Sequence, residues 1–308
     1  MKTNNTTWKG KTRGGLLGYK IFIFILQKAG LKAAYALLKI VTAYFILFAP
    51  AATISIYRYF RDIHAFGRIR ALVSVYKNFY VFGQGLIDKI AIISGIEKKF
   101  TYTYDGIEHL KGLKETGGIL ISAHLGNWEI AGYMLKDVKI HINILMFEAE
   151  QEKIKGYLEK VMKNEYVNII PIKQDMSHLF LISNALRNKE IICMHGDRFV
   201  ADSRVQAVNF MEKKAYFPLG PFIMAAKLKV PFVFVYALKG NNYHYNLSST
   251  PAVIDPTLKP SDVLEKYVSY LEDKLRKYPF QWFNYYDFWS EDLKGGIIES
   301  KENEKRSA

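Results

Sequence analysis

Between residues 100 and 280 of this 308-residue chain, short apolar runs alternate with longer segments whose apolar residues recur every three or four positions. "GILIS" at 118–122, "IHINILMF" at 140–147, "VNIIPI" at 167–172, "EIICMHG" at 190–196 and "PFVFVYALKG" at 231–240 read as strands. Between them, helical patterns are expected at about 127–135, at 150–164, at 176–188 and at 220–229. "KFTYTYDGIEHL" at 99–110 reads as a strand reaching a turn at Asp105-Gly106. "YHYNLSST" at 243–250 adds a strand to the sheet, with antiparallel pairing one option. Residues 261–278 form an amphipathic helix with Ser261 or Asp262 as its cap. Strands alternating with helices predict an α/β fold with a mostly parallel central sheet flanked by helices.

Upstream the pattern differs. Residues 58–100 read as helical and basic, apolar on one side. Residues 1–61 hold ten basic side chains and no acidic one, so ten of the fourteen net positive charges lie there. The same segment is rich in Ile, Leu, Phe and Tyr, a combination that suits an anionic membrane surface. Its stretch 40–57 runs 18 residues without a charge, the lower limit for a spanning helix, and Pro50 interrupts it. Lys28, Lys32 and Lys39 recur at near-helical spacing, which suggests one wet face on an interfacial helix, so the anchor is expected to be either membrane-embedded or membrane-lying. Four regions are expected: a basic apolar membrane anchor at 1–61, a helical connector at 62–100, an α/β domain at 101–290 and a flexible tail at 291–308.

Composition narrows the function. Half the residues are apolar, so the chain can build a large core. One cysteine, Cys193, excludes an internal disulfide framework and a multi-cysteine zinc site. Basic residues mixed with so much hydrocarbon argue against a nucleic-acid partner.

Ligands in open α/β sheets bind beyond the carboxyl ends of the strands. Two polar clusters are expected there: His124 to Glu129, "HLGNWE", and His195 to Arg198, "HGDR". On one helix, His124 and Glu129 would stand about 140° apart. With His124 in the turn and Glu129 in the first helical turn, the carboxylate can hold one ring nitrogen and leave the other as a general base. Gly126 permits the turn, and Asn127 caps the helix whose free N–H groups can meet negative charge. The bland alternative is a histidine and a glutamate facing water. His124, His195, Glu129 and Asp197 match no standard metal-ligand spacing, so no metal is expected. Gln281 and Trp282, set among aromatics, read as packing residues.

"SAHLGNWE" resembles the H-x4-D/E motif of membrane-lipid acyltransferases and, within them, the late lauroyl and myristoyl acyltransferases of lipid A biosynthesis. "CMHGDR", "KKAYFPLGPFIMAAKLKVPFVFVYA" and "YPFQWFNYYDFW" resemble three further blocks of that family in the same order, and the basic apolar start resembles its anchor. The likeness spans roughly residues 10–290. It implies a glycerolphosphate-acyltransferase-like fold and transfer of a fatty acyl chain from acyl carrier protein to a hydroxyl of a membrane lipid. It implies that His124 deprotonates the acceptor, that Glu129 orients His124, and that no covalent acyl-enzyme forms. Asn127, Asp197 and Arg198 are the candidates for substrate binding or for the oxyanion. No cofactor is implied beyond the acyl donor. The implied partners are acyl carrier protein, the acceptor lipid and the phospholipid bilayer. The implied location is the bacterial inner membrane, with the catalytic domain on the cytoplasmic side.

The chain departs from that pattern where the family shows Asp-Gln, here Asp197-Arg198, and in "FEAEQEKIKGYLEK", where the family shows an arginine- and asparagine-containing block. The acceptor therefore stays open among lipid A, an aminolipid, a glycolipid and a polyene pigment lipid. Two other readings remain: a lysophospholipid acyltransferase using acyl-CoA, and a non-catalytic lipid-binding scaffold.

Overall fold

A computed structural model describes residues 16–128, 130, 141–147, 167–173, 175–199 and 203–290. The helix expected at 150–164 and the tail at 291–308 lie outside the described residues, as does most of the helix expected at 127–135.

Among the described residues the sheet has seven strands: β1 (Thr101–Asp105), β2 (Gly118–Ser122), β3 (Ile142–Phe147), β4 (Val167–Ile172), β5 (Ile191–His195), β8 (Phe232–Lys239) and β9 (His244–Ser249). Their order is β1-β9-β8-β2-β5-β3-β4. All neighbours pair in parallel except β8 with β9, so the antiparallel option at 243–250 is the one realised. β2 has neighbours on both sides, and all five of its residues are buried, as expected of an uninterrupted apolar run covered on both faces. Pro171, which has no N–H, sits in β4 at the edge, where pairing on one side suffices.

Helices cover the sheet: α4 (Ile107–Thr116), α5 (His178–Arg187), α6 (Gly220–Lys227) and α7 (Pro260–Lys277). Val263, Leu264, Tyr267, Leu271 and Leu275 of α7 recur at helical spacing and are fully buried in the main core. Three features depart from the sequence reading. α4 follows the Gly106 turn directly, where only a strand and turn were expected. A separate antiparallel hairpin, β6 (Val205–Phe210) and β7 (Lys213–Pro218), precedes α6. The α7 cap is Lys259, not Ser261 or Asp262; Pro260 takes the first helical position and the Asp262 carboxylate accepts the Lys259 N–H at 3.0 Å.

Upstream lie α1 (Leu16–Phe48), α2 (Pro50–Arg58) and α3 (Arg68–Ala91). Gly30, with φ of 80°, kinks α1, and Pro50 starts a new helix, so the uncharged stretch is not one continuous rod. Residues Lys20–Phe48 are long and apolar enough to cross a membrane by length and composition. One face of α1 is nevertheless packed: Leu26, Leu31, Ala34 and Leu38 are buried with Ile87, Ala91 and Ile92 at the end of α3. A buried polar knot reinforces this seam. The Asp88 carboxylate accepts bonds from the Tyr35 and Tyr245 hydroxyls and from Lys239 Nζ at 2.6 Å. The other face of α1 leaves Phe24, Ile40, Leu47 and Phe48 exposed, at 62%, 71%, 74% and 61%.

Candidate active site

β2 and β5 lie side by side in register, with Ser122 opposite His195. That register places His124 opposite Asp197, each two residues further on. Side chains alternate along extended chain, so all four point to the same face. The pairing continues past the strands: the Gly196 N–H donates to Ser122 O at 2.8 Å. Ser122 Oγ lies 2.8 Å from His195 Nδ1, and His124 Nδ1 lies 2.8 Å from Asp197 Oδ1. The His124 and His195 rings are 4.4 Å apart, and Trp128 meets His195 edge-on at 5.4 Å.

The turn after β2 is held by backbone. Gly126 adopts φ of +74°, and a Cβ there would stand 2.1 Å from Ala237 O. Only glycine fits so close an approach in that conformation. The Asn127 N–H donates to Ala237 O at 2.8 Å and its side-chain amide to Gly85 O at 2.9 Å. Asn127 thus ties the turn to β8 and α3, and its N–H is not available to an oxyanion.

Asp197 is completely buried and its carboxylate is saturated. Oδ1 takes His124 Nδ1; Oδ2 takes the His124 N–H at 3.0 Å, Trp282 Nε1 at 3.1 Å and Asn284 Nδ2 at 3.1 Å. Burial alone would raise its pKa. The adjacent His124, as charge and as hydrogen-bond donor, outweighs burial together with Arg198 and His195, and holds the carboxyl well below the usual range. An ionised carboxylate only accepts, so the His124 proton sits on Nδ1 and Nε2 is the basic nitrogen. Burial, and then the neighbouring His124, push His195 well below the ordinary imidazole value, so its ring is neutral at pH 7.

Arg198, a candidate oxyanion donor, is tied through two of its donors to the segment behind Asp197. Its Nε donates to Asn284 Oδ1 and its terminal nitrogen to Phe283 O, each at 2.6 Å, which fastens the 279–289 segment behind Asp197. Gln281 clamps Lys239 through both backbone groups, at 2.8 and 2.6 Å. Trp282, read from sequence as packing, does pack against Phe210 and Phe288, but its indole N–H also serves Asp197. Ser122, Trp282 and Asn284 were not singled out as site residues by sequence reasoning. For Ser122 the one signal was a shared offset: Ser122 and His195, then His124 and Asp197, fall at the same separation along two strand ends.

Glu129 lies outside the described residues. His124, His195 and Asp197, which sequence spacing did not join as metal ligands, each bring one donor atom within 4.8 Å of the other two. Phe210, Phe217 and Phe222 are fully buried core. On the face that carries Ser122 lies a small apolar cavity of about 60 Å³, lined by Leu120, Trp128, Ile142, Ile144, Cys193 and Val235. Burial pushes the Cys193 thiol up to about 12, so it is a neutral lining group rather than a nucleophile.

The site is thus a His-Asp pair at the carboxyl edge of an α/β sheet, beside a small apolar cavity. The family model for the bacterial lipid A biosynthesis acyltransferases matches residues 71–289, and the chain belongs to that family. It is an acyltransferase that acts on lipid. Among solved structures, the 1-acyl-sn-glycerophosphate (LPA) acyltransferase PlsC from Thermotoga maritima is 15% identical, over 79% of this chain and 95% of that one, with a TM-score of 0.40. No curated protein matches the chain.

Proposed function

We propose that this enzyme moves a fatty acyl chain from acyl carrier protein to a hydroxyl of a membrane lipid, with His124 as general base and no acyl-enzyme intermediate. The observation that carries this reading is the His124–Asp197 pair: a buried, saturated carboxylate fixes the ring so that Nε2 is the nitrogen able to take a proton. His124 Nε2 takes the proton of the acceptor hydroxyl as its oxygen attacks the thioester carbon. The tetrahedral intermediate then collapses, the C–S bond breaks, and the proton passes from His124 to the leaving thiolate. Asp197 stabilises the imidazolium between the two steps. The family resemblance gives the orienting role to Glu129 instead, an alternative to Asp197 as the carboxylate that holds a His124 ring nitrogen.

The cavity beside Ser122 takes the acyl chain near its carbonyl. An apolar cavity of ~150 Å³ holds benzene; this one, at about 60 Å³, is smaller, so a chain enters by displacing lining side chains. The membrane reading rests on the acid-free basic segment and the exposed apolar face of α1. Because the opposite face of α1 is packed on α3 and tied to Asp88, a helix lying in the interface accounts for both faces. We place the enzyme at the inner membrane with its catalytic domain in the cytoplasm, where acyl carrier protein is found. Lys213 and Lys214, exposed on β7, suit an acidic carrier.

The test is acyl transfer by purified wild type and His124→Ala, with mass spectrometry of the host's membrane lipids. His124→Ala should lose transfer while folding and membrane retention persist. A variant that transfers normally rules out the mechanism, and a lipid shifted by one acyl chain identifies acceptor and chain together.

A further inference from the structure

Arg198 Nε and one of its terminal nitrogens are bound to Asn284 and Phe283, and the Asn127 N–H is bound to Ala237, which turns attention to His195 as the group that meets the negative oxygen of the tetrahedral intermediate. We infer that His195, in the neutral tautomer bearing its proton on Nε2, is the donor that stabilises this oxygen. The inference rests on the acyl-transfer reading above and adds a second catalytic histidine to it.

The tautomer follows from Ser122. Its side chain is buried, at 8% exposure, and its hydroxyl has one hydrogen-bond partner among the described residues, His195 Nδ1. A buried hydroxyl uses its proton where an acceptor stands. Ser122 therefore donates, Nδ1 accepts, and the ring proton is on Nε2. The backbone around Ser122 is rigid: its carbonyl accepts from Tyr267 Oη at 3.0 Å and from the Gly196 N–H at 2.8 Å. Trp128 packs edge-on against the same ring. A neutral imidazole is a suitable donor to an oxyanion, because it polarises without surrendering its proton, and burial beside His124 keeps His195 neutral.

The spacing also fits. The two rings are 4.4 Å apart, so two nitrogens on them can contact two oxygens bonded to one carbon. As the acceptor oxygen bonds to the thioester carbon, the carbonyl electron pair moves onto its oxygen, and His195 Nε2–H donates a hydrogen bond to it. When the C=O bond reforms and the C–S bond breaks, that hydrogen bond weakens, and His195 has neither gained nor lost a proton.

The experiment compares His195→Gln, His195→Leu and Ser122→Ala with wild type and His124→Ala. The substrates are acyl-loaded acyl carrier protein and a host lipid extract; kcat, KM and the pH profile are measured after thermal unfolding confirms that each variant folds. Loss of one oxyanion donor costs roughly 10²–10³ in kcat. His195→Leu should fall by that amount with KM within a few-fold. Gln, whose amide nitrogen replaces Nε2, should recover much of it with an unchanged pH profile. Ser122→Ala, which frees the tautomer, should lie between. Wild-type kcat in His195→Leu, or Gln no better than Leu, overturns the role. Activity lost on chelation and restored by zinc, with both His195 variants inactive, also overturns it in favour of a metal held by His124, His195 and Asp197. Full activity in His124→Ala would instead remove the underlying reading.

Discussion

At the scale of single residues, His124 was legible and its observed partner was not. A histidine past an apolar run, followed by a glycine, marks a strand-end turn in any α/β chain. Asp197 stands 73 positions away and meets His124 only because β2 and β5 pair in register. Trp282 and Asn284 arrive from still further along the chain. The carboxylate's role can be separated from its shape. Asp197→Asn keeps the volume but loses the charge and can present an N–H to Nδ1, which favours the wrong tautomer. In a Ser-His-Asp enzyme the same change lowers kcat about 10⁴-fold. Here a drop of at least ~10³ in kcat is expected, with a folded protein; a loss below tenfold would show that Asp197 does not set the tautomer.

At the scale of elements, alternation and helical periodicity located most strands and helices, because burial on one or both faces imposes those periods. The shortfalls were local conflicts. α4 begins at the left-handed Gly106, which reads as a hairpin turn until the following helix is seen. The β6–β7 hairpin turns through Met211 and Glu212, both at positive φ without being glycine, so no turn signal was present. The turn at Gly126 is the element on which the site depends most. Gly126→Ala forces a left-handed alanine, which costs about 1–2 kcal/mol. It also drives a Cβ into the Ala237 carbonyl, so the backbone must shift. A clear fall in melting temperature and in kcat is expected; an unchanged melting curve would mean that β8 is not held against this turn.

At the scale of the whole molecule, the helix proposed to meet the membrane also completes the fold. Deleting residues 1–61 would strip the apolar face of α3 and remove Tyr35 from buried Asp88, so truncation confounds anchoring with stability. Ile40→Glu with Leu47→Glu places charge only on the exposed face. The double variant should stay folded and move from the membrane pellet to the soluble fraction. Unchanged pelleting would show that this face does not touch lipid. Acid should weaken the fold early. Burial lowers His64 to about 4, with Arg276 and Arg70 adding to it, and burial also lowers His178 and His195. Below their ordinary value near pH 6.5 the unfolded chain takes up protons that the folded chain refuses, so stability declines as pH falls from 7 toward 5. Asp197, whose folded pKa is also depressed, contributes a further loss only below about pH 4. The melting temperature should therefore drop between pH 7 and 5, and less steeply in His64→Gln.

By itself the sequence determined the α/β class, the basic apolar start and the histidine at the strand-end turn that we propose takes the proton. Each of these depends on local composition or on a period of a few residues. Tertiary structure decided which carboxylate is seen to hold that histidine, which residues brace the carboxylate, and how His195 comes to face the same space. Those contacts depend on the pairing of strands remote in sequence, which short-range patterns do not encode. It also decided that the N-terminal helix is half core and half exposed, because only packing against α3 separates its two apolar faces.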